Sequence, residues 1–331
     1  LWGPFHPRQR LLNGESSGEL HHSAYHEYYE RQWSLTAANC DGKFVALKNP
    51  EDLNELIKKL QRDEAYEDLI LEIQGACGGG DTDELCRTSL DLAARLLLMM
   101  RIGKPQNHFS HRPCQIWSHE PLRNFASRCF AETPKMSFED VKLPKSFNGW
   151  SLETTGGIEI IFTNDLMDHL LLTEDDSKVC VFHYASFLEC HRLQGYKSLL
   201  PTGLAEETLR TLALLFPQSI TQGARGSKTT KLSWFRRPRD RAACTVDERL
   251  GRCGNLHAEA RELKNFKFWR DRIVILKQVY DEASPRTLSQ FWYDRRNGVQ
   301  WYTFWAALLV LFFTVVFGVL QCVEGGYEAW H

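Results

Sequence analysis

The stretch VQWYTFWAALLVLFFTVVFGVLQCV occupies residues 299–323, and none of its 25 positions carries a charge. At about 1.5 Å of rise per residue, a helix of this length is longer than the roughly 30 Å hydrocarbon core of a bilayer. The alternative is a buried core helix of a soluble domain, but such helices are usually shorter and keep a polar stripe. The stretch therefore predicts a single transmembrane helix.

Aromatic residues flank this predicted span. Trp301, Tyr302 and Trp305 lie at its N-terminal boundary, and Tyr327 and Trp330 lie beyond its other end. Tryptophan and tyrosine favour the headgroup region, where their rings are in an apolar layer and their polar edges contact water. We therefore predict that the first three of these residues lie at the membrane interface.

Flanking charge predicts how the span is oriented. Arg286, Arg295 and Arg296 precede it, whereas only Glu324 and Glu328 are charged on the other side. Because lysine and arginine resist translocation, the large N-terminal part should face the cytosol, in a membrane that the sequence does not specify. The absence of Asn-X-Ser/Thr and the irregular spacing of the ten cysteines agree with a reducing compartment. Insertion is expected to follow synthesis, as in tail-anchored proteins.

The overall composition limits the choice of partners. The 331 residues include 40 lysine and arginine residues against 42 aspartate and glutamate residues, which gives a formal net charge of −2. A nearly neutral chain has no general positive field, so we expect no nucleic-acid partner. Partners are instead predicted to be the lipid bilayer and other proteins.

Apolar periodicity and turn residues predict a mainly α fold with a small β component, an α+β cytosolic body. A helix should begin at Pro50 after Asn49, and another should follow Asp81 or Thr82. Residues 164–172 also have helical composition. The predicted organisation is an irregular arm (1–34), a mostly helical body (35–221) with short strands near 158–162 and 178–183, a basic linker (222–254), amphipathic helices (255–297), the span (299–323) and a short tail (324–331).

The predicted linker is rich in positive charge, and Trp234 and Phe235 lie among its basic residues. Near an anionic leaflet, each such charge would contribute about 1 kcal/mol of attraction. A merely solvated linker is the alternative. The predicted lipid-binding residues are Arg225, Lys228, Lys231, Arg236, Arg237, Arg239 and Arg241, together with Arg295 and Arg296 beside the span.

Three clusters have residue types suited to catalysis or metal binding, each with a simpler structural explanation. His108, His111, Cys114 and His119 are zinc-ligand types, but they form one cluster without the second close pair that structural sites usually have. A nucleophile and base could form from the group His183, Cys190 and His191. A hard cation could bind the exposed acidic group Asp165, Asp168, Glu174, Asp175 and Asp176. None of these patterns is specific, and we predict no cofactor.

A glycine-rich segment, LILEIQGACGGGDTDELC, could be read as a strand, a phosphate-binding loop and the start of a helix. Gly75, Gly78, Gly79 and Gly80 would then supply backbone amides, but their spacing matches neither dinucleotide nor P-loop signatures. A loop between two helices is the favoured interpretation.

A second apolar stripe precedes the span. Its members recur at spacings of three and four residues and are Phe266, Trp269, Ile273, Leu276 and Tyr280. About two heptads are too few to indicate a coiled coil, so a helix docked on the body is the more common explanation. Self-association through these five residues is the alternative.

The segments SQFWYDRRNGVQWYTFWAALLVLFFTVVFGVLQCVEG, FTNDLMDHLLLTEDDSKVCVFHYASFLE and GLAEETLRTLALLFPQ resemble a group of uncharacterised single-pass membrane proteins from filamentous ascomycete fungi. The resemblance covers roughly the C-terminal half and implies a fungal origin and membrane attachment. It implies no activity. The sequence thus predicts a membrane-anchored, cytosol-facing interaction or scaffold protein. The alternatives are a membrane-anchored enzyme with a nonstandard site, with or without a metal, and a sensor of anionic lipid surfaces.

Overall fold

A computed structural model of the chain describes residues 23–36, 45–47, 49–62, 64–76, 83–103, 114–131, 141–221, 234–235, 244–283 and 298–330. Within these residues the fold is mainly helical with one small sheet, as the sequence predicts. The helices of the body are α1 (Ser23–Thr36), α2 (Pro50–Gln61), α3 (Tyr66–Ala76), α4 (Asp83–Leu98), α5 (Leu122–Cys129), α6 (Gly149–Thr154), α7 (Ala185–Gln194), α8 (Leu204–Leu215), α9 (Gln218–Thr221) and α10 (Arg270–Glu282). A long C-terminal helix, α11 (Gly298–Trp330), follows them.

Helix α1 corrects the prediction of an irregular arm over 1–34, of which residues 1–22 lie outside the described residues. Two of its tyrosines are buried with their hydroxyls hydrogen-bonded: Tyr25 donates to the carbonyl of Leu96 at 2.9 Å, and Tyr28 donates to that of Arg95 at 3.3 Å. Tyr25 also stacks on Phe187 at 6.1 Å between ring centroids. Packing against α4 and α7 thus stabilises a helix that its own sequence does not indicate.

Helix α2 forms as its cap and apolar spacing predict, and α4 begins at Asp83, directly after the two cap candidates, which lie outside the described residues. Asn49 is the N-cap of α2, Pro50 occupies its first turn, and Leu53, Leu56 and Leu60 are buried. The segment of α3, by contrast, is helical and not a strand, so the strand–loop–helix interpretation of the glycine-rich segment is wrong. Gly75 lies inside α3, and Gly78, Gly79 and Gly80 lie outside the described residues, in the segment 77–82 between α3 and α4.

The sheet has the order β1-β3-β2, with strands β1 (Glu159–Thr163), β2 (Leu171–Thr173) and β3 (Lys178–Phe182). The two predicted strands are β1 and β3, which pair in parallel with Glu159 opposite Lys178. Strand β2 pairs antiparallel with β3 and lies in the segment predicted to be helical. Only one 3-10 turn forms there, at Leu166–Asp168.

The predicted basic linker (222–254) includes parts of the core. Trp234 and Phe235 are buried, and a Cβ added to Gly149 would lie only 3.0 Å from the indole ring of Trp234. Further along, Val246 and Leu250 are buried beside a 3-10 turn at Glu248–Arg252. The chain therefore returns to the body at two points inside this segment.

The apolar stripe of residues 266–280 is docked on the body. All five of its members are buried, although α10 begins only at Arg270, so Phe266 and Trp269 precede the helix. Glu207 holds the segment before α10 against the body, because its carboxylate accepts hydrogen bonds from the backbone N–H groups of Lys267 and Trp269, each at 2.7 Å. These side chains therefore present no exposed stripe for self-association, and the docked-helix alternative explains them.

Candidate functional site

Helix α11 is the feature that most clearly distinguishes this chain from an ordinary globular fold. It contains a candidate membrane span of 27 residues, Trp301–Tyr327, none of which is buried by the rest of the protein. At about 1.5 Å per residue this segment is about 40 Å long, enough to cross a bilayer with some tilt. The helix also continues through the predicted tail to Trp330, so residues 324–330 are helical.

The predicted interface residues occupy the first turns of α11. Tyr302 is exposed, whereas Trp301 and Trp305 are half-buried. Their rings form a cluster, in which Trp301 lies 5.1 Å from Tyr302 and 6.1 Å from Trp305 between centroids. An aromatic belt at one end of an apolar helix is the arrangement expected at a membrane surface.

The predicted lipid-binding cations cannot be placed, because Arg225, Lys228, Lys231, Arg236, Arg237, Arg239, Arg241, Arg295 and Arg296 all lie outside the described residues. The aromatic residues between them are described and are buried in the core. Trp234 stacks near Phe216 at 6.3 Å, and its indole N–H donates to the carboxylate of Glu153. The rings of Trp234 and Phe235 are therefore unavailable for insertion into lipid.

The predicted zinc cluster is only partly described, since His108 and His111 lie outside the described residues. Cys114 is half-buried, and His119 is exposed with its Nδ1 3.2 Å from Oε1 of Glu67. In the part of the chain that the structure describes, no group of three or more histidine, cysteine, aspartate or glutamate side chains is arranged to hold a metal ion.

The acidic candidates separate into two places. Arg101 binds both carboxylates at the start of the group, with Nε 2.6 Å from Asp165 and a terminal nitrogen 3.0 Å from Asp168. The rest form the predicted exposed turn between β2 and β3, where Glu174, Asp175 and Asp176 all have left-handed φ angles of 52° to 61°. A guanidinium thus occupies the position that a cation would need at the first pair.

A cysteine and a histidine do meet in the body, although the cysteine is not the predicted Cys190. The Sγ atom of Cys244 lies 3.6 Å from Nε2 of the buried His183 and 3.5 Å from Oδ1 of Asn164. The same Asn164 oxygen accepts the hydroxyl of Tyr184 at 2.9 Å. His191 instead has its Nδ1 2.8 Å from the hydroxyl of Ser198.

The hydrogen bonds of His183 determine what this pair can do. Its Nδ1 accepts the backbone N–H of Asp247 at 3.2 Å, which places the proton of the neutral ring on Nε2, facing Cys244. A ring that already donates at Nε2 cannot take a proton from the thiol there. Burial, followed by the charge of Glu27, also raises the pKa of Cys244. The arrangement therefore favours a neutral thiol in a structural contact over an activated nucleophile.

Sequence reasoning did not find this cluster because its members are distant in the chain. Asn164 follows β1, His183 follows β3, and Cys244 lies about 60 residues further on, in the segment predicted to be a linker. The parallel pairing of β1 with β3 brings the first two together. No local motif marks the third.

Comparison of the chain with protein-family models, curated proteins and solved structures finds no match. The resemblance to fungal membrane proteins therefore stays a prediction.

Proposed function

We propose that this chain is a membrane-anchored interaction or scaffold protein whose body faces the cytosol and whose anchor is α11. The observation that supports the anchor is the uncovered helix itself. Its 27-residue candidate span has one charged residue, Glu324, and no other part of the described chain buries it. In water such a surface would be strongly unfavourable, at about 25 cal/mol for each Å² of apolar area. A bilayer removes that cost.

The proposal for the body rests on how its reactive groups are used. His183, His169 and Glu207 are buried and take part in internal hydrogen bonds that hold loops and helices together. Side chains that are buried and hydrogen-bonded inside the protein stabilise the fold and do not contact a substrate. A rigid body held at a membrane surface is suited to organising protein partners.

Extraction and protease protection of the full chain test the anchor and its orientation. In sealed native membranes we expect the chain to stay in the pellet after alkaline carbonate, and an N-terminal tag to be digested by protease added from the cytosolic side. Recovery of the chain in the carbonate supernatant would contradict the anchor. Protection of the tag would contradict the orientation.

Proximity labelling tests the interaction role. A labelling enzyme fused to the full chain is compared with the same enzyme fused to residues 284–331, because a single helix satisfies its own backbone in a membrane. We expect a reproducible set of proteins that only the full chain labels. Identical sets would show that the body contributes no partner, and near-stoichiometric zinc in the purified full chain would favour the enzyme alternative.

A further inference from the structure

The body exposes one pair of large apolar side chains at a single corner. Outside α11, Tyr196 and Leu193 are the two most exposed large apolar residues that the structure describes, at 82% and 76%. Leu193 lies at the end of α7, and Tyr196 lies in the following 3-10 turn, Gly195–Lys197. We call residues 193–197 the corner. Single exposed apolar residues need no explanation, but here two of them lie three positions apart at the end of one helix.

The backbone of the corner is held in place. Gly195 turns the chain at a φ of +55°, a conformation that favours glycine. One terminal nitrogen of Arg123 then donates to the carbonyl of Tyr196 at 2.8 Å and to that of Ser198 at 2.7 Å. The Leu193 and Tyr196 side chains are therefore presented to solvent on a fixed frame, which lowers the entropic cost of binding.

The chemistry of the corner suits the surface of a bilayer. The Nζ atom of Lys197 lies 6.0 Å from the centroid of the Tyr196 ring, so a cation and an amphipathic ring are presented together. Tyrosine places its ring in an apolar layer and keeps its hydroxyl wet, and lysine is attracted to anionic headgroups. Leucine supplies a purely apolar contact beside them.

The chain itself indicates which surface the corner meets. Residues 284–297 join α10 to α11, and covalent geometry limits their reach to about 50 Å. A tether of this length keeps the membrane at a high effective concentration around the body, so that a weak contact becomes populated.

We propose that the corner is a peripheral contact through which Leu193, Tyr196 and Lys197 dock the body on the bilayer that contains α11. This inference rests on the proposed function, because an untethered body would have no such local membrane. The contact would orient the body relative to the membrane and leave its other faces open to partners.

Photo-cross-linking of the reconstituted full chain tests the contact. The chain is placed in phosphatidylcholine vesicles with or without phosphatidylserine, both containing a lipid with a photoreactive headgroup, and tryptic peptides are analysed by mass spectrometry. Cleavage after Arg192 and Lys197 isolates the corner. We expect about fivefold more lipid adduct there than on the segment of Ile116, which is 74% exposed, with more adduct when phosphatidylserine is present.

Matched variants separate the corner from general proximity to lipid. The double variant Leu193→Ser with Tyr196→Ser should lower the adduct on the adjoining peptide 198–210 by about fivefold, whereas Ile116→Ser should leave it unchanged. Equal labelling of the corner and the Ile116 segment would overturn the proposed contact, and so would an unchanged 198–210 adduct in the double variant. If the chain still resists carbonate extraction in that case, the anchor stands and only the contact fails. Extraction by carbonate would overturn both.

Discussion

Helices α10 and α11 both carry apolar side chains at helical spacing, yet the body buries one and leaves the other uncovered. In α10, Ile273, Leu276 and Tyr280 are buried on one side, and charged residues occupy the other. In α11, Leu309, Phe313 and Phe317 are exposed, as are apolar residues on every side of the helix.

The difference shows that the width of a helix's apolar surface determines which environment can bury it. A stripe can be satisfied by one neighbouring surface, and for α10 that surface is the body, reached through the Glu207 contacts to Lys267 and Trp269. A helix that is apolar all round needs an apolar environment on every side. Only a bilayer or a complete helical assembly provides that, and the described body does not.

The largest effect is expected from charge at the centre of α11. Replacing both Phe313 and Phe317 by arginine should cost about 6 kcal/mol of insertion free energy, since each buried cation costs about 3 kcal/mol at the middle of a span. The variant should move from the carbonate pellet to the supernatant in membrane fractions. The matched variant Phe313→Leu with Phe317→Leu should stay in the pellet. Retention of the arginine variant would mean that α11 is not a span.

Acid should unfold the body and spare the anchor. Burial lowers the pKa of His169 to about 3 and that of His191 to about 4, against 6.5 for the unfolded chain. Both rings are neutral in the fold, so their contribution is intact above pH 6.5 and is lost as the pH falls below it. At pH 5 the two together should remove about 4 kcal/mol from the free energy of unfolding.

The measurement is chemical unfolding of the full chain in detergent at pH 7 and pH 5, followed by tryptophan fluorescence. His169→Gln should remove about 2 kcal/mol of the stability lost between pH 7 and pH 5, whatever it does to stability at pH 7, because it removes one of the two histidines. Exposed His257 supplies the control His257→Gln, which should leave the dependence as it is. A dependence unchanged by His169→Gln would show that this ring is not the source.

Truncation within α10 tests whether its stripe serves the fold. Leu276→Ala should lower the free energy of unfolding by about 3 kcal/mol, because the side chain is fully buried and a cavity would remain. Ile275→Ala, at a half-exposed neighbouring position, should cost less than about 1 kcal/mol. A change of oligomeric state in Leu276→Ala without loss of stability, measured by light scattering in detergent, would restore self-association as the role of the stripe.

Local signals predicted those elements whose sequence alone determines the outcome. Asn49 and Pro50 mark the start of α2, and the apolar run of residues 299–323 marks α11, although the helix continues to Trp330. Elements that depend on distant partners were missed or misassigned. The three residues of β2 pair with the edge that β3 offers beyond the left-handed turn at 174–176, and helix α1 packs on α4 and α7 through Tyr25 and Tyr28.

The candidate site follows the same division. The aromatic residues at the start of α11 could be predicted because their position relative to the span is a local property. The contact between His183 and Cys244 could not, since it depends on how β1, β3 and a returning segment meet. The burial of Trp234 could not be predicted either, because the basic residues on both sides of it are typical of a solvent-exposed linker.

The effect expected at Asp91, on α4, has the opposite sign to that of the histidines. Burial raises the pKa of Asp91 from 3.8 to about 6, although Arg95 and Arg87 partly offset this. The folded state therefore binds a proton that the unfolded state has released, so the contribution of Asp91 weakens as the pH rises from about 4 through 6. At pH 7 the ionised carboxylate should cost about 3 kcal/mol.

Asp91→Asn should accordingly stabilise the body by about 3 kcal/mol at pH 7 and by less than about 1 kcal/mol at pH 4, since the amide stays neutral at both. Chemical unfolding at the two pH values measures this, and carbonate resistance should be the same as in the parent chain because α11 is untouched. Asp83→Asn is the control for removing a charge from α4: this carboxylate lies in the first turn of the same helix, is half-exposed and pairs with Arg87 at 2.9 Å. Equal effects of Asp91→Asn at pH 7 and pH 4 would show that ionisation of a buried carboxylate is not what limits the stability of the body.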